Sequence, residues 1–154
     1  MDVETIVATW IRASEGRMPP EPDLFFRFIA AWVAFNAIYG HRYGANVGDR
    51  AGALKFAEDR ENSAKHSDCM REESYRAAVE TLAHSGIVNL KNNRVVNIDE
   101  PANFQQVMAA IYQVRCNLFH GGKFAGNPRD REVVKAAHTV LAPHLSTHHL
   151  QLAA

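Results

Sequence analysis

Arg115, Cys116, Asn117 and His120 fall within one stretch, IYQVRCNLFHGGK, running from Ile111 to Lys123. A guanidinium offers a planar fork of N–H donors that fits a phosphate or a carboxylate. An imidazole titrates near neutrality and can move a proton to or from a reacting group. Cys116 and His120 stand four apart, which would put a thiol and a base on one helix face, but no third residue stands out to orient the base. The arginine raises the sharper question. Phe104, Met108, Ile111, Arg115 and Leu118 step by four, three, four and three, so on a helix they share one apolar seam with a cation in it. An unpaired guanidinium in such a contact costs on the order of several kcal/mol, so Arg115 must find a partner, reach water or line a site. Gln106, Ala110, Gln113, Asn117 and His120 form a second, more polar seam with the same stepping. On an ideal helix Arg115 and His120 lie about 140° apart. They converge only if the chain bends at Gly121-Gly122 or if a second copy brings its own motif alongside.

These residues need a helix from about Ala102 to about His120, stopped by Gly121-Gly122, whose missing Cβ suits a left-handed cap. Upstream, LFFRFIAAWVAFNAIY, Leu24 to Tyr39, is apolar almost all round and predicts a central core helix in which Arg27 and Asn36 are the strong polar groups. Asn36 is expected to satisfy its amide within the core, or else to reach the motif helix and position Arg115. The glycine-punctuated GHRYGANVGDRAG reads as a connector and lacks the Gly-Lys-Ser/Thr of a P-loop. Helices are predicted over 51–59 and 72–84, with the polar RENSAKHSDCM as a connection between them. NLKNNRVVNIDEP predicts a short hairpin or extended loop near 90–98. A last helix starts at Asn127-Pro128 and turns Val133, Val134, Ala137, Val140 and Leu141 inward. A short amphipathic helix over Val3–Arg12 precedes all of these and ends before the prolines of RMPPEPD.

The 154 residues predict one all-α domain, a bundle of about five to six helices. With 17 basic and 17 acidic residues the formal net charge is zero, which argues against a long nonspecific nucleic-acid track but allows a local phosphate site. No signal peptide and no membrane-spanning stretch is read from the sequence, and a cytoplasmic protein is expected. Two cysteines do not make a disulfide framework or a four-ligand zinc site. His144, His148 and His149 have spacing that could catch a metal adventitiously, but Pro143 and the terminal position predict a frayed tail over 146–154. No metal site or cofactor is predicted. Lys123, Arg129, Arg131 and Lys135 cluster after His120 and are either a solvated face or a guide for RNA.

The RCNLFH hexapeptide, an arginine and a histidine separated by four residues at a helix end, followed by Gly-Gly and preceded by the AWVAFNAIYG helix, resembles the HEPN superfamily and especially its Apea-like branch. The resemblance covers roughly Leu24 to Leu145. It implies one HEPN-like helical domain over 1–154, with the N-terminal helix (2–14) peripheral, that dimerises through the motif-bearing helices and, in active members, cleaves RNA without a metal. On that reading His120 moves the proton, Arg115 stabilises charge on the phosphorane, and Asn117 orients the histidine or holds a phosphate oxygen. Lys123, Arg129 and Asn36 would contact substrate. Toxin-like or defence-like members work with an antitoxin or nucleotidyltransferase partner, while others are non-catalytic modules binding RNA, a nucleotide or a protein. The Phe104, Met108, Ile111 and Leu118 seam, more apolar than one small bundle needs, is taken as a further sign of a homodimer.

Overall fold

The apolar run beginning at Leu24 fills a core from one helix. In the computed structural model, which describes residues 23–121 and 127–152, this is α1, Asp23–Tyr43. Phe25, Phe28, Trp32, Phe35 and Tyr39 recur at three- and four-residue steps and are all buried. Their rings meet edge to face: Trp32 and Phe35 centroids are 5.2 Å apart, Phe35 and Tyr39 5.1 Å. That geometry sets the positive ring edge on the negative face. Against the expectation that no stretch could do so, Leu24–Tyr43 has the length and apolarity to cross a membrane. Here its aromatic face is packed in protein, and its other side exposes Asn36, His41 and Arg42. The helix runs a turn past Gly40, so the predicted connector shrinks to residues 44–48.

Next come α2 (Asp49–Glu58), α3 (Arg60–Cys69) and α4 (Glu73–His84), then a ribbon of β1 (Val88–Asn89) and β2 (Arg94–Val95), α5 (Phe104–Phe119) and α6 (Pro128–Leu152). The protein is therefore an all-α bundle, with six helices and one two-stranded antiparallel ribbon among the described residues. The ribbon pairs Val88 with Val95 and Asn89 with Arg94, a little earlier in the chain than predicted. Asn93 takes the left-handed conformation in its turn.

The predicted connection at RENSAKHSDCM is α3 instead. Its buried stripe is Asn62, His66 and Cys69, a helical spacing hidden by polar residue types. Each polar member is satisfied inside: Asn62 Nδ2 donates to Phe56 O at 2.9 Å, and His66 is bonded through both ring nitrogens. Asp59 makes the corner between α2 and α3, where its carboxylate accepts from Tyr43 Oη at 2.5 Å and pairs with Arg42 at 3.3 Å.

On α5, Asn103 caps the helix by accepting from Gln106 N at 3.3 Å, while Gln106 Oε1 accepts from Glu100 N at 2.9 Å and ties the preceding loop to the start of the motif helix. α5 packs on α2, and α6 packs on both α1 and α4. Val133, Val134, Ala137, Val140 and Leu141 face inward as predicted. Where the sequence predicts a frayed tail, α6 continues through Pro143 to Leu152. Lys65 Nζ, from α3, donates to Pro143 O at 2.6 Å and ties this stretch to the bundle. The predicted helix at 3–12 and Lys123 lie outside the described residues.

Candidate functional site

The seam holding Arg115 closes inside the protomer. Phe104, Met108, Ile111 and Leu118 are all buried against the chain's own helices, which removes them as an argument for a dimer. Arg115 sits where that seam reaches the surface, with 24% of its side chain exposed. Its Nη2 lies 3.0 Å from Asp49 Oδ2, at the first residue of α2. The other Asp49 oxygen accepts from Tyr39 Oη at 2.6 Å and from Asn36 Nδ2 at 3.1 Å. The guanidinium carbon lies 4.7 Å from the Phe119 ring centroid and 5.9 Å from that of Trp32, so the cation rests against two π faces. Arg115 Nη1 points to Cys116 Sγ at 3.9 Å, and among the described residues nothing accepts from Nε.

Three helices converge on this pair because α2 approaches α1 closely. A Cβ on Gly52 would meet Tyr39 Cδ2 at 2.4 Å, so glycine is what lets Asp49 reach Tyr39. Burial first, then the bond to Asp49, pushes the Tyr39 hydroxyl's pKa up, which keeps it a donor. Tyr112 is also pushed up, chiefly by its hydrogen bond with Cys116 and then by burial.

His120 occupies the C-cap of α5, where ψ has turned to 13° and Gly121 follows at φ 72°. The helix ends there, and the exposed imidazole lines the same cavity as Arg115, about 350 Å³ in volume. Arg115 and His120 thus border one cavity within a single chain. Arg50 and Lys91 line the cavity too, with Tyr112, Cys116 and the hairpin residues Asn89 and Leu90, and among the described residues no carboxylate belongs to its lining.

Asn117 also borders this cavity but is buried and bonded at both ends of its amide. Oδ1 accepts from Gln113 Nε2 at 2.9 Å, and Nδ2 donates to Val88 O at 2.9 Å. It anchors the hairpin to the motif helix instead of pointing at a ligand. The expectation that Asn36 satisfies its amide in the core is corrected: the residue is exposed and reaches Arg115 through Asp49. Arg129 stands apart from the cavity. Its Nη2 donates to Ser85 O, with Gly86 O at 3.4 Å, and so closes the carboxyl end of α4.

Asp49, Tyr39, Arg50 and Lys91 are the site residues the sequence reading missed. The available signal for Asp49 was an acidic residue at the start of a helix behind a glycine loop, which by itself means only a favourable dipole. His144, considered as a metal ligand, is instead buried in a chain of hydrogen bonds; the side chains of His148 and His149 lie outside the described residues. Pro101 O can only accept, so His66 Nε2 carries the proton in their 2.9 Å bond. His66 Nδ1 then accepts from Tyr75 Oη at 2.7 Å, and Tyr75 in turn accepts from His144 Nε2 at 2.9 Å. Phe104 lies stacked between the imidazoles, 4.7 Å from His66 and 4.5 Å from His144. Burial depresses the His66 pKa, only partly offset by the bond to Pro101. No family model matches the chain, and no curated protein or solved structure is detectably similar to it.

Proposed function

We propose that this protein is a HEPN-like endoribonuclease that cleaves RNA by attack of a ribose 2′-OH on the adjacent phosphodiester, without a metal. The observation that carries the reading is the cavity in which His120 shares its lining with Arg115, Arg50 and Lys91 and, among the described residues, with no carboxylate. His120 would take or give the proton, Arg115 would face the developing phosphorane charge, and Arg50 and Lys91 would hold flanking phosphates. We further propose a cytoplasmic homodimer acting as a toxin or defence component, with an antitoxin or nucleotidyltransferase partner. Support for the dimer moves from the buried seam to a different surface: Phe119 is 51% exposed and, with Ile29, Leu118 and Gly121, lines a mainly apolar cavity of about 280 Å³ beside the motif.

A second reading, a module that binds RNA without cutting it, has its own observation. Arg115 already gives Nη2 to Asp49, and Asn117 has committed its whole amide to the fold. The deciding experiment incubates the purified chain with single-stranded RNA in EDTA and analyses product ends, beside the same sequence with 2′-O-methyl ribose. Cleavage of the first alone, leaving 2′,3′-cyclic phosphate and abolished by His120→Ala, is the expected result. Binding of both without cleavage would establish the non-catalytic module, and loss of cleavage in EDTA restored by one divalent ion would overturn the proposed chemistry.

A further inference from the structure

The turn between β1 and β2 faces the same cavity, and of its residues the reaction above uses Lys91 alone, for a flanking phosphate. Leu90 is 52% exposed on a turn otherwise built of Asn89, Lys91, Asn92 and Asn93. Polar residues are what such a turn needs for folding, and a half-exposed leucine adds nothing to it. Yet Leu90 and Lys91 both line the cavity that holds Arg115 and His120. The turn is also held in place. Asn89 Oδ1 accepts from Lys91 N and Asn92 Oδ1 from Arg94 N, each at 3.0 Å, while Asn117 fastens β1 to the motif helix through Val88 O. An apolar side chain next to an ammonium, both carried on a fixed backbone turn beside a proposed phosphate site, matches one nucleotide: a base face against Leu90 and its phosphate against Lys91.

We propose that Leu90 and Lys91 form a subsite for the nucleotide next to the scissile phosphate, and that it favours a purine over a pyrimidine. The preference follows from area, since the larger purine covers more of the leucine. The inference rests on the RNA reading above, and its test separates the two. The probes are 2′-O-methyl oligouridylate heptamers, uncleavable by 2′-OH attack, carrying a single adenine or a single abasic residue at each position in turn. Binding to the full chain is followed by fluorescence anisotropy. One position should bind adenine roughly threefold to fivefold more tightly than uracil, and abasic more weakly than either.

Leu90→Ser should erase that preference. Lys91→Gln should weaken all the heptamers alike, keep the preference and lower the salt slope by about one. Both side chains lie at the surface, so these variants keep the fold. Binding with no positional preference in the wild-type chain, or a preference that survives Leu90→Ser unchanged, would overturn the subsite and leave the RNA reading intact. Failure of the wild-type chain to bind any heptamer would overturn both.

Discussion

Replacing Arg115 by alanine removes a cation that the fold and the proposed chemistry both use, and the structure allows the two contributions to be weighed. The pair with Asp49 is partly open to water, with 24% and 31% of the two side chains exposed, so its Coulombic part is about 1 kcal/mol. Contact with the Phe119 and Trp32 rings adds about 0.5–1 kcal/mol for each. Relief at the unbonded Nε returns on the order of 1 kcal/mol. The penalty of ~3–5 kcal/mol for stranding a buried partner does not apply in full, because Asp49 keeps its bonds from Tyr39 and Asn36. Arg115→Ala should therefore cost about 1–2 kcal/mol, which in a domain of this size lowers Tm by about 2–8 °C. Thermal unfolding of Arg115→Ala, Asp49→Asn and the double variant completes a cycle whose coupling should be about 1 kcal/mol. RNA cleavage is measured on the same samples and should be lost in Arg115→Ala. A single variant that melts with the wild type, or a coupling indistinguishable from zero, would refute the argument that Asp49 holds the arginine; a loss above about 4 kcal/mol would show that it is a fully buried structural pair.

Acid should weaken the fold. His66 has its pKa pushed below 6.5 by burial, and His138 likewise by burial and then by Arg27, so below about pH 6.5 the unfolded chain takes up protons that the folded chain refuses. Stability is fully present above that value and falls with pH toward the depressed folded values; His66→Gln should shallow the Tm-against-pH slope between pH 7 and 5, and an unaltered slope would discount the buried histidine. Gly52→Ala should cost on the order of 2 kcal/mol, because the new methyl must displace the Tyr39 ring, and it should depress cleavage by moving Asp49 from Arg115. Wild-type melting and turnover in that variant would show that α2 shifts without consequence.

What the sequence disclosed of this molecule, and what it concealed, follows from which residue types face inward. α1, α5 and α6 bury aromatic and aliphatic side chains at helical steps, so their periodicity is visible without a structure. α3 buries Asn62, His66 and Cys69, and its helical spacing is legible only once their hydrogen-bond partners are known, at Phe56, Tyr75 and Pro101. The candidate site divides the same way. Arg115 and His120 are close in sequence, and the arginine's need for a partner could be deduced from the apolar seam alone. The partner could not: Asp49 lies 66 positions away, brought to Arg115 by the packing of α2 on α5 and to Tyr39 by the glycine contact between α2 and α1.

That partner changes what the motif means. A lone guanidinium on an apolar seam would argue for an anionic ligand, since nothing else would justify its desolvation. A guanidinium already paired with Asp49 needs no ligand to be stable, so its presence alone argues for neither catalysis nor binding. The functional argument must instead rest on what surrounds the pair. Asp49 balances the charge of Arg115 itself, leaving Arg50 and Lys91 as the cations of the lining that have no carboxylate partner among the described residues, and His120 in the lining of the same cavity. An incoming phosphate would meet those two cations first and would gain from Arg115 only by competing with Asp49. Asp49→Asn tests this directly: it removes the competing charge while retaining an acceptor for Tyr39, so the chain should bind the 2′-O-methyl heptamer more tightly even as it melts earlier. Weakened binding in that variant would mean that Asp49 serves the ligand by orienting Arg115, and that the arginine acts from the paired geometry seen here.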